Sequence, residues 1–128
     1  ADGTPLYHQA VHFGELKDGL IRGSRFDKTV EREFASFLSD KKDEDIINLC
    51  KSLDGEIIKS KFDLSVVFYL FPNYPVTLNI WFADDEFGAV GNMLVDKSAD
   101  NYLTIEDDVV AGEFMLRYIF ERYNELYM

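Results

Sequence analysis

The sequence predicts an α+β fold in which an antiparallel β-meander of three or more strands packs against an αα-hairpin and a long C-terminal helix. Between residues 24 and 55, apolar residues recur at the three- and four-residue spacing of amphipathic helices. From residue 64 to 96 they alternate with polar residues as strands do, and helical spacing returns from Thr104 onward. The 128 residues fit a single domain over 1–128 with one hydrophobic core.

Two helices with a tight connection are predicted in the first half of the chain. The first covers residues 24–40, with Ser24 as its N-cap and Asp27 in the capping-box position three residues later. The second covers residues 46–55 and ends at Gly55, because glycine accepts the positive φ that closes many helices. The loop that joins them is short and charged, which predicts an αα-hairpin.

The strands of the meander are predicted by alternation and by the turn residues between them. They cover 64–71, 76–84 and 89–96, with a proline-bracketed turn after the first strand and an acidic turn after the second. A further short strand is predicted within residues 6–13. Because both faces of the 64–71 strand are apolar, we expect this strand to be central and covered on both sides.

The C-terminal helix is the clearest predicted element, and it carries more apolar surface than one neighbour can cover. Thr104 is its predicted N-cap, with Asp107 as the acidic partner three residues later. One apolar stripe should pack on the strand face that carries Val76, Leu78, Ile80 and Phe82. This stripe consists of Ile105, Val109, Gly112, Leu116, Ile119, Phe120 and Tyr123.

A second apolar line runs along the flank of the same helix. It consists of Val110, Phe114 and Tyr118, at the i, i+4, i+8 spacing of one helix face. One sheet face cannot cover both apolar lines. We therefore expect the flank to meet another helix, a missing part of the chain or a second subunit.

Composition limits the partners that the chain can have. The formal net charge of −11 repels phosphate groups, so nucleic acid and anionic membrane surfaces are disfavoured as partners. No apolar run approaches the ~20 residues of a membrane span. The single cysteine, Cys50, excludes an internal disulfide and fits a reducing, cytoplasmic location. No cofactor is predicted, because no phosphate-loop, dinucleotide-binding or zinc-protease motif occurs.

Acidic residues in the turns and at the start of the last helix raise the question of a metal site. The metal-ligating candidates are Asp84, Glu86, Asp96 and Glu106, since hard cations prefer carboxylate oxygens. Calcium needs roughly six to eight oxygens from several directions, which adjacent acids in one turn rarely supply. The favoured interpretation is therefore local, with a solvated turn at 84–86, an Asx-type turn at Asp96 and a helix-dipole interaction at Glu106. A carboxylate pair formed by Asp96 and Asp84 across the meander stays open as an alternative.

Several motifs in a fixed order give the chain a resemblance to a known family. They are a turn bracketed by Pro72 and Pro75, an acidic turn from Asp84 to Phe87, a strand that ends at Asp96, and Tyr102-Leu103 with Glu106-Asp107 at the start of the last helix. With these motifs, from about residue 3 to 120, the chain resembles the domain of unknown function 3786. The resemblance implies a bacterial or archaeal protein with no assigned activity. It also implies a longer N-terminal part than this chain has.

Two functional hypotheses follow. The leading one is a non-catalytic binding or protein-interaction module of a bacterial cytoplasm, which forms a homo-oligomer or binds a partner protein through Val110, Phe114 and Tyr118. This hypothesis assigns no catalytic residue. The alternative is a divalent-cation-dependent enzyme or cation-binding protein that uses Asp84, Glu86, Asp96 and Glu106.

Overall fold

The computed structural model describes residues 6–128 and confirms the α+β fold class. The strands are β1 (Ala10–Val11), β2 (Glu56–Ile58), β3 (Leu64–Phe71), β4 (Tyr74–Trp81) and β5 (Val90–Asp96). The α-helices are α1 (Arg22–Leu38), α2 (Asp43–Ser52) and α3 (Ile105–Tyr127). Two short 3₁₀ helices cover Phe13–Glu15 and Lys97–Asn101.

The sheet is antiparallel throughout, with the strand order β1-β5-β4-β3-β2. Its centre is the predicted three-strand meander, and the register aligns Val66 with Leu78 and Leu78 with Met93. All three of these side chains are buried in one core with the apolar faces of the helices. Strands β1 and β2 extend the meander at its two edges. Strand β1 lies within the short strand predicted at residues 6–13, whereas β2 has only three residues, too few for alternation to reveal it.

The face of the sheet opposite the helices is less covered than the sequence predicted. Strand β3 was expected to be covered on both sides, yet Tyr69 on its outer face is 56% exposed. Ser65, on the same outer face, is buried, and its hydroxyl donates a 2.6 Å hydrogen bond to the side-chain oxygen of Asn79. The expectation of two covered faces was therefore wrong for the C-terminal end of β3, and the central strand of the sheet is β4 rather than β3.

Helix α1 begins earlier than predicted, and the predicted capping box does not form. The helix starts at Arg22, so Ser24 lies inside its first turn. The carboxylate of Asp27 instead accepts hydrogen bonds from the backbone N–H groups of Phe13 at 3.0 Å and Gly14 at 2.9 Å. Asp27 thus closes the N-terminus of the neighbouring 3₁₀ helix, a partner 13 and 14 residues away that local spacing cannot reveal.

Helix α2 also begins earlier than predicted and ends differently. Its first turn is made by Asp43, Glu44 and Asp45, whose negative charges are favourable at a helix N-terminus. The positive φ after the helix belongs to Asp54, at 59°, and not to Gly55. Gly55 is required for space, because a Cβ there would lie 2.4 Å from a methyl carbon of Val66.

Helix α3 forms as predicted, from its N-cap to its buried stripe. The Thr104 side chain accepts a hydrogen bond from the Asp107 backbone N–H at 3.3 Å. Val109, Leu116 and Ile119 are buried, and both α1 and α2 pack on this helix. It is therefore the central helix of the layer that covers the sheet.

Candidate interaction groove beside the C-terminal helix

The predicted metal-ligating residues lie at different ends of the sheet. Asp84 is in the turn between β4 and β5, whereas Asp96 is the last residue of β5. The six residue-to-residue steps from Val90 to Asp96 span roughly 20 Å at about 3.3 Å per step. The structure therefore does not bring Asp84 and Asp96 together as a carboxylate pair, and that alternative was wrong.

Asp84 is engaged in its own turn, as the local interpretation predicted. One carboxylate oxygen accepts hydrogen bonds from the backbone N–H groups of Glu86 and Phe87, each at 2.8 Å. The N–H groups of Phe87 and Glu86 hold the pKa of Asp84 below its ordinary value. Glu86 itself is exposed to solvent.

Asp96 is buried and fully engaged by the backbone around it. Its carboxylate accepts hydrogen bonds from the N–H groups of Tyr7 and Gln9, both at 2.9 Å, and from the N–H and hydroxyl of Ser98. Burial alone would raise its pKa, but the hydrogen bonds from Ser98, Tyr7 and Gln9 outweigh it and lower the pKa. The predicted Asx-type turn at Asp96 is therefore present. Through the N–H groups of Tyr7 and Gln9, the same carboxylate also holds the N-terminal segment against the end of β5.

Glu106 completes the set of metal-ligating candidates and has a cationic partner. Its carboxylate forms an exposed ion pair with the guanidinium of Arg22, 3.3 Å from Nε. Among residues 6–128, no three His, Cys, Asp or Glu side chains are grouped closely enough to hold a metal ion. The four candidates do not form one site.

The sheet does not cover the flank of α3, as predicted, and no other helix within residues 6–128 covers it either. Val110, Phe114 and Tyr118 are 60%, 59% and 48% exposed. The rings of Phe114 and Tyr118 stack on each other with their centroids 6.2 Å apart. No element of the described chain covers this line, so contiguous apolar surface faces solvent here.

An apolar groove of about 490 Å³ lies between this flank and the end of β3. Its lining combines residues of β3, of the segment before α3 and of α3 itself: Leu70, Phe71, Leu103, Asp107, Val110, Ala111 and Phe114. Asp107 is the one charged residue in this lining. We call this feature the α3–β3 groove.

The end of β3 that borders the groove lacks a neighbouring strand on its outer edge. Strand β2 pairs only with Ser65, Val66 and Val67, while β3 continues to Phe71. Residues 54 and 55 precede β2 and are not paired with β3, and Asp54 has a φ of 59°. No strand in the described part of the chain pairs with 68–71 on this side.

A buried carboxyl group lies below the groove, at the first turn of α3. Asp108 is fully buried, and one of its oxygens accepts a 2.7 Å hydrogen bond from the Tyr74 hydroxyl. Its other oxygen has no hydrogen-bond partner. Burial raises the pKa of Asp108 to about 6, although the bond from Tyr74 opposes the shift. Burial and the neighbouring Asp108 also raise the pKa of Tyr74.

Sequence reasoning missed Asp108 and the β3 wall of the groove. The sequence-based interpretation gave Asp108 no role in a site, yet this residue precedes Gly112, Met115 and Ile119 by four, seven and eleven residues, and all three are buried. This helical spacing was the signal that places Asp108 on the buried face. The apolar end of β3 was taken as a covered strand, because alternation alone does not show which face stays open.

Comparison with known proteins identifies a family but no characterised relative. The family model described as "Domain of unknown function (DUF3786)" matches residues 1–118 of the 128-residue chain. Neither the curated proteins nor the solved structures gave a match. No helix within residues 6–128 is both long enough and apolar enough to cross a membrane.

Proposed function

This chain belongs to the family of the domain of unknown function 3786, which supplies no activity, and from its geometry we propose that it is a non-catalytic protein-interaction module whose docking surface is the α3–β3 groove. The observation that carries the proposal is the exposed apolar line of Val110, Phe114 and Tyr118 beside a groove lined by six apolar residues. We also propose a cytoplasmic location, which the single buried Cys50 supports.

The energetic argument for docking is the apolar surface that a partner would remove from water. Burying an exposed Val or Phe side chain contributes roughly 1.5 to 3 kcal/mol. Phe114 lies in the middle of the exposed line and also lines the groove, so it should be the main anchor.

A non-catalytic role is supported by the local contacts of three of the four acidic candidates. Asp84 and Asp96 hold turns through several N–H groups, and Glu106 pairs with Arg22. Each of these three carboxylates therefore has a structural role in its own turn or helix end.

A peptide selection tests the proposal. A phage-displayed library of random 12-residue peptides would be selected on the wild-type chain, and the enriched peptides would be measured against two variants. Phe114→Ser removes the anchor, whereas Phe87→Ser is the matched control, because Phe87 is 70% exposed in the turn between β4 and β5.

The proposal predicts enriched peptides that lose about tenfold or more in affinity with Phe114→Ser and keep their affinity with Phe87→Ser. Circular dichroism should show that both variants fold, since both positions are exposed. If no peptide is enriched, or if the enriched peptides bind the Phe114→Ser variant equally well, the groove is not a docking surface.

A further inference from the structure

We propose that the partner segment binds the α3–β3 groove as an extended strand in which apolar residues alternate with Lys or Arg, and that this strand pairs with the open edge of β3 at 68–71. This inference rests on the proposed function, because it names the kind of segment that the groove takes.

The open edge of β3 supplies the first reason for an extended partner. In an antiparallel sheet, every second residue of an edge strand directs its N–H and C=O groups away from its paired neighbour. Beyond Val67, no described strand accepts these groups on the outer side of β3. An added strand would satisfy them with main-chain hydrogen bonds, as in β-strand addition.

The position of the groove supplies the second reason. A strand added beside β3 directs alternate side chains to the two faces of the sheet. The side chains of the added strand that lie next to Leu70 would point to the helix-covered face, where Val110 and Phe114 form the other wall of the groove. The groove therefore takes one apolar side chain from every second residue of the added strand.

Charge complementarity supplies the basic character of the partner. Asp107 is exposed and is the one charged side chain in the groove lining. Asp54 and Glu56 are exposed where the added strand would meet the start of β2. With a net charge of −11 on the whole chain, the field at this edge favours Lys or Arg and disfavours acidic segments.

A second copy of this chain fits the edge less well than a basic partner does. In a two-fold dimer the same surface occurs on both sides of the interface. Pairing of two β3 edges would therefore place Asp54, Glu56 and Asp107 of each copy at one interface, in addition to the repulsion between two chains of charge −11.

Designed peptides test both the conformation and the charge of the partner. The first probe is a fluorescein-labelled nine-residue peptide in which valine alternates with lysine. In its counterpart, glutamate replaces every lysine. Two further versions of the lysine peptide carry N-methyl groups on all valines or on all lysines, which removes the N–H donors of one alternate set.

Fluorescence anisotropy should show that the lysine peptide binds the wild-type chain and that the glutamate peptide binds at least about tenfold more weakly. One N-methylated version should lose binding and the other should keep it, because only one alternate set of N–H groups faces β3. Phe114→Ser should lower the affinity of the chain for the lysine peptide by about tenfold, and Phe87→Ser should leave this affinity unchanged.

The possible failures are distinguishable. If binding depends on Phe114 but both N-methylated versions behave alike, or if the glutamate peptide binds equally well, the inference fails while the docking groove stands. No binding of the lysine peptide also overturns the inference. If the lysine peptide binds without dependence on Phe114, the proposed function fails as well. A wild-type dimer in sedimentation velocity that Phe114→Ser dissociates would make a second copy the occupant and overturn the basic partner.

Discussion

At the scale of single residues, two buried aspartates show how burial and hydrogen-bond donors compete to set the direction of a pKa shift. Asp96 accepts hydrogen bonds from three N–H groups and one hydroxyl, and its pKa is lowered despite burial. Asp108 accepts one bond, from Tyr74, and burial raises its pKa to about 6. The two residues should therefore affect stability in opposite directions as the pH changes.

Asp108→Asn should flatten the pH dependence of stability. Because the folded-state pKa of about 6 exceeds the ordinary 3.8, the folded chain binds this proton more tightly than the unfolded chain does. The resulting stabilisation is full below about pH 4 and is lost as the pH rises through 6. Between pH 5 and 7.5 the wild-type chain should lose on the order of 1 kcal/mol through this group, and the variant should not.

Urea unfolding of both proteins at pH 5 and pH 7.5 measures this difference. Asp27, whose pKa is also raised, is present in both proteins, so its contribution cancels. Equal changes with pH in the wild type and in Asp108→Asn would contradict the account of the buried carboxyl group.

Asp96→Ala should destabilise the fold much more than Asp84→Ala. Removal of the Asp96 carboxylate leaves the N–H groups of Tyr7, Gln9 and Ser98 without their acceptor, at a cost of roughly 2 to 4 kcal/mol. Asp84 is exposed, so its loss should cost less than about 1 kcal/mol. Amide hydrogen exchange should also accelerate at Tyr7 and Gln9 in the Asp96→Ala variant. Unchanged protection of these two amides would contradict the role of Asp96 in holding the N-terminal segment.

At the scale of secondary-structure elements, α3 was predictable and the edge strand β2 was not. The long apolar stripe and Thr104 gave α3 two independent signals, and both hold in the structure. Strand β2 is shorter than a pattern of period two can establish, whereas β1 lies within the short strand predicted at residues 6–13. The start of α1 is decided by packing against the preceding 3₁₀ helix, since a Cβ at Gly23 would lie 2.3 Å from the Phe13 carbonyl oxygen.

Gly112→Ala should test the close packing of α3 on α1. A Cβ at Gly112 would lie 2.5 and 2.7 Å from two ring carbons of Phe26 and 2.9 Å from the ring of Phe13. Overpacking of this kind costs roughly 1 to 3 kcal/mol, and alanine recovers up to about 1 kcal/mol of helix propensity.

The net expectation for Gly112→Ala is a loss of about 1 kcal/mol or more in the free energy of unfolding, measured by urea titration. Gly88→Ala is the control, because nothing lies within 4 Å of the added Cβ, and its stability should stay within about 0.5 kcal/mol of the wild type. A stabilised Gly112→Ala variant would mean that Phe26 can move aside.

At the scale of the whole molecule, the helix layer covers one face of the sheet and leaves the flank of α3 that carries Val110, Phe114 and Tyr118 uncovered. The sequence predicted this uncovered flank, because Val110, Phe114 and Tyr118 fall outside the stripe that the core uses. It did not predict the groove, whose other wall comes from Leu70 and Phe71, more than 30 residues earlier in the chain. Which strand ends beside which helix face depends on long-range topology, and no local pattern carries that information.

The most direct test of the docking groove is a map of backbone amide shifts by two-dimensional ¹H–¹⁵N nuclear magnetic resonance during titration with the alternating valine–lysine peptide. The largest changes should fall at 68–71, Leu103, Val110 and Phe114, while the turn at 84–88 should stay unchanged. Changes concentrated in that turn or on the outer face around Thr77 would contradict the assignment of the α3–β3 groove as the docking surface, and the absence of any changes would overturn the extended basic partner.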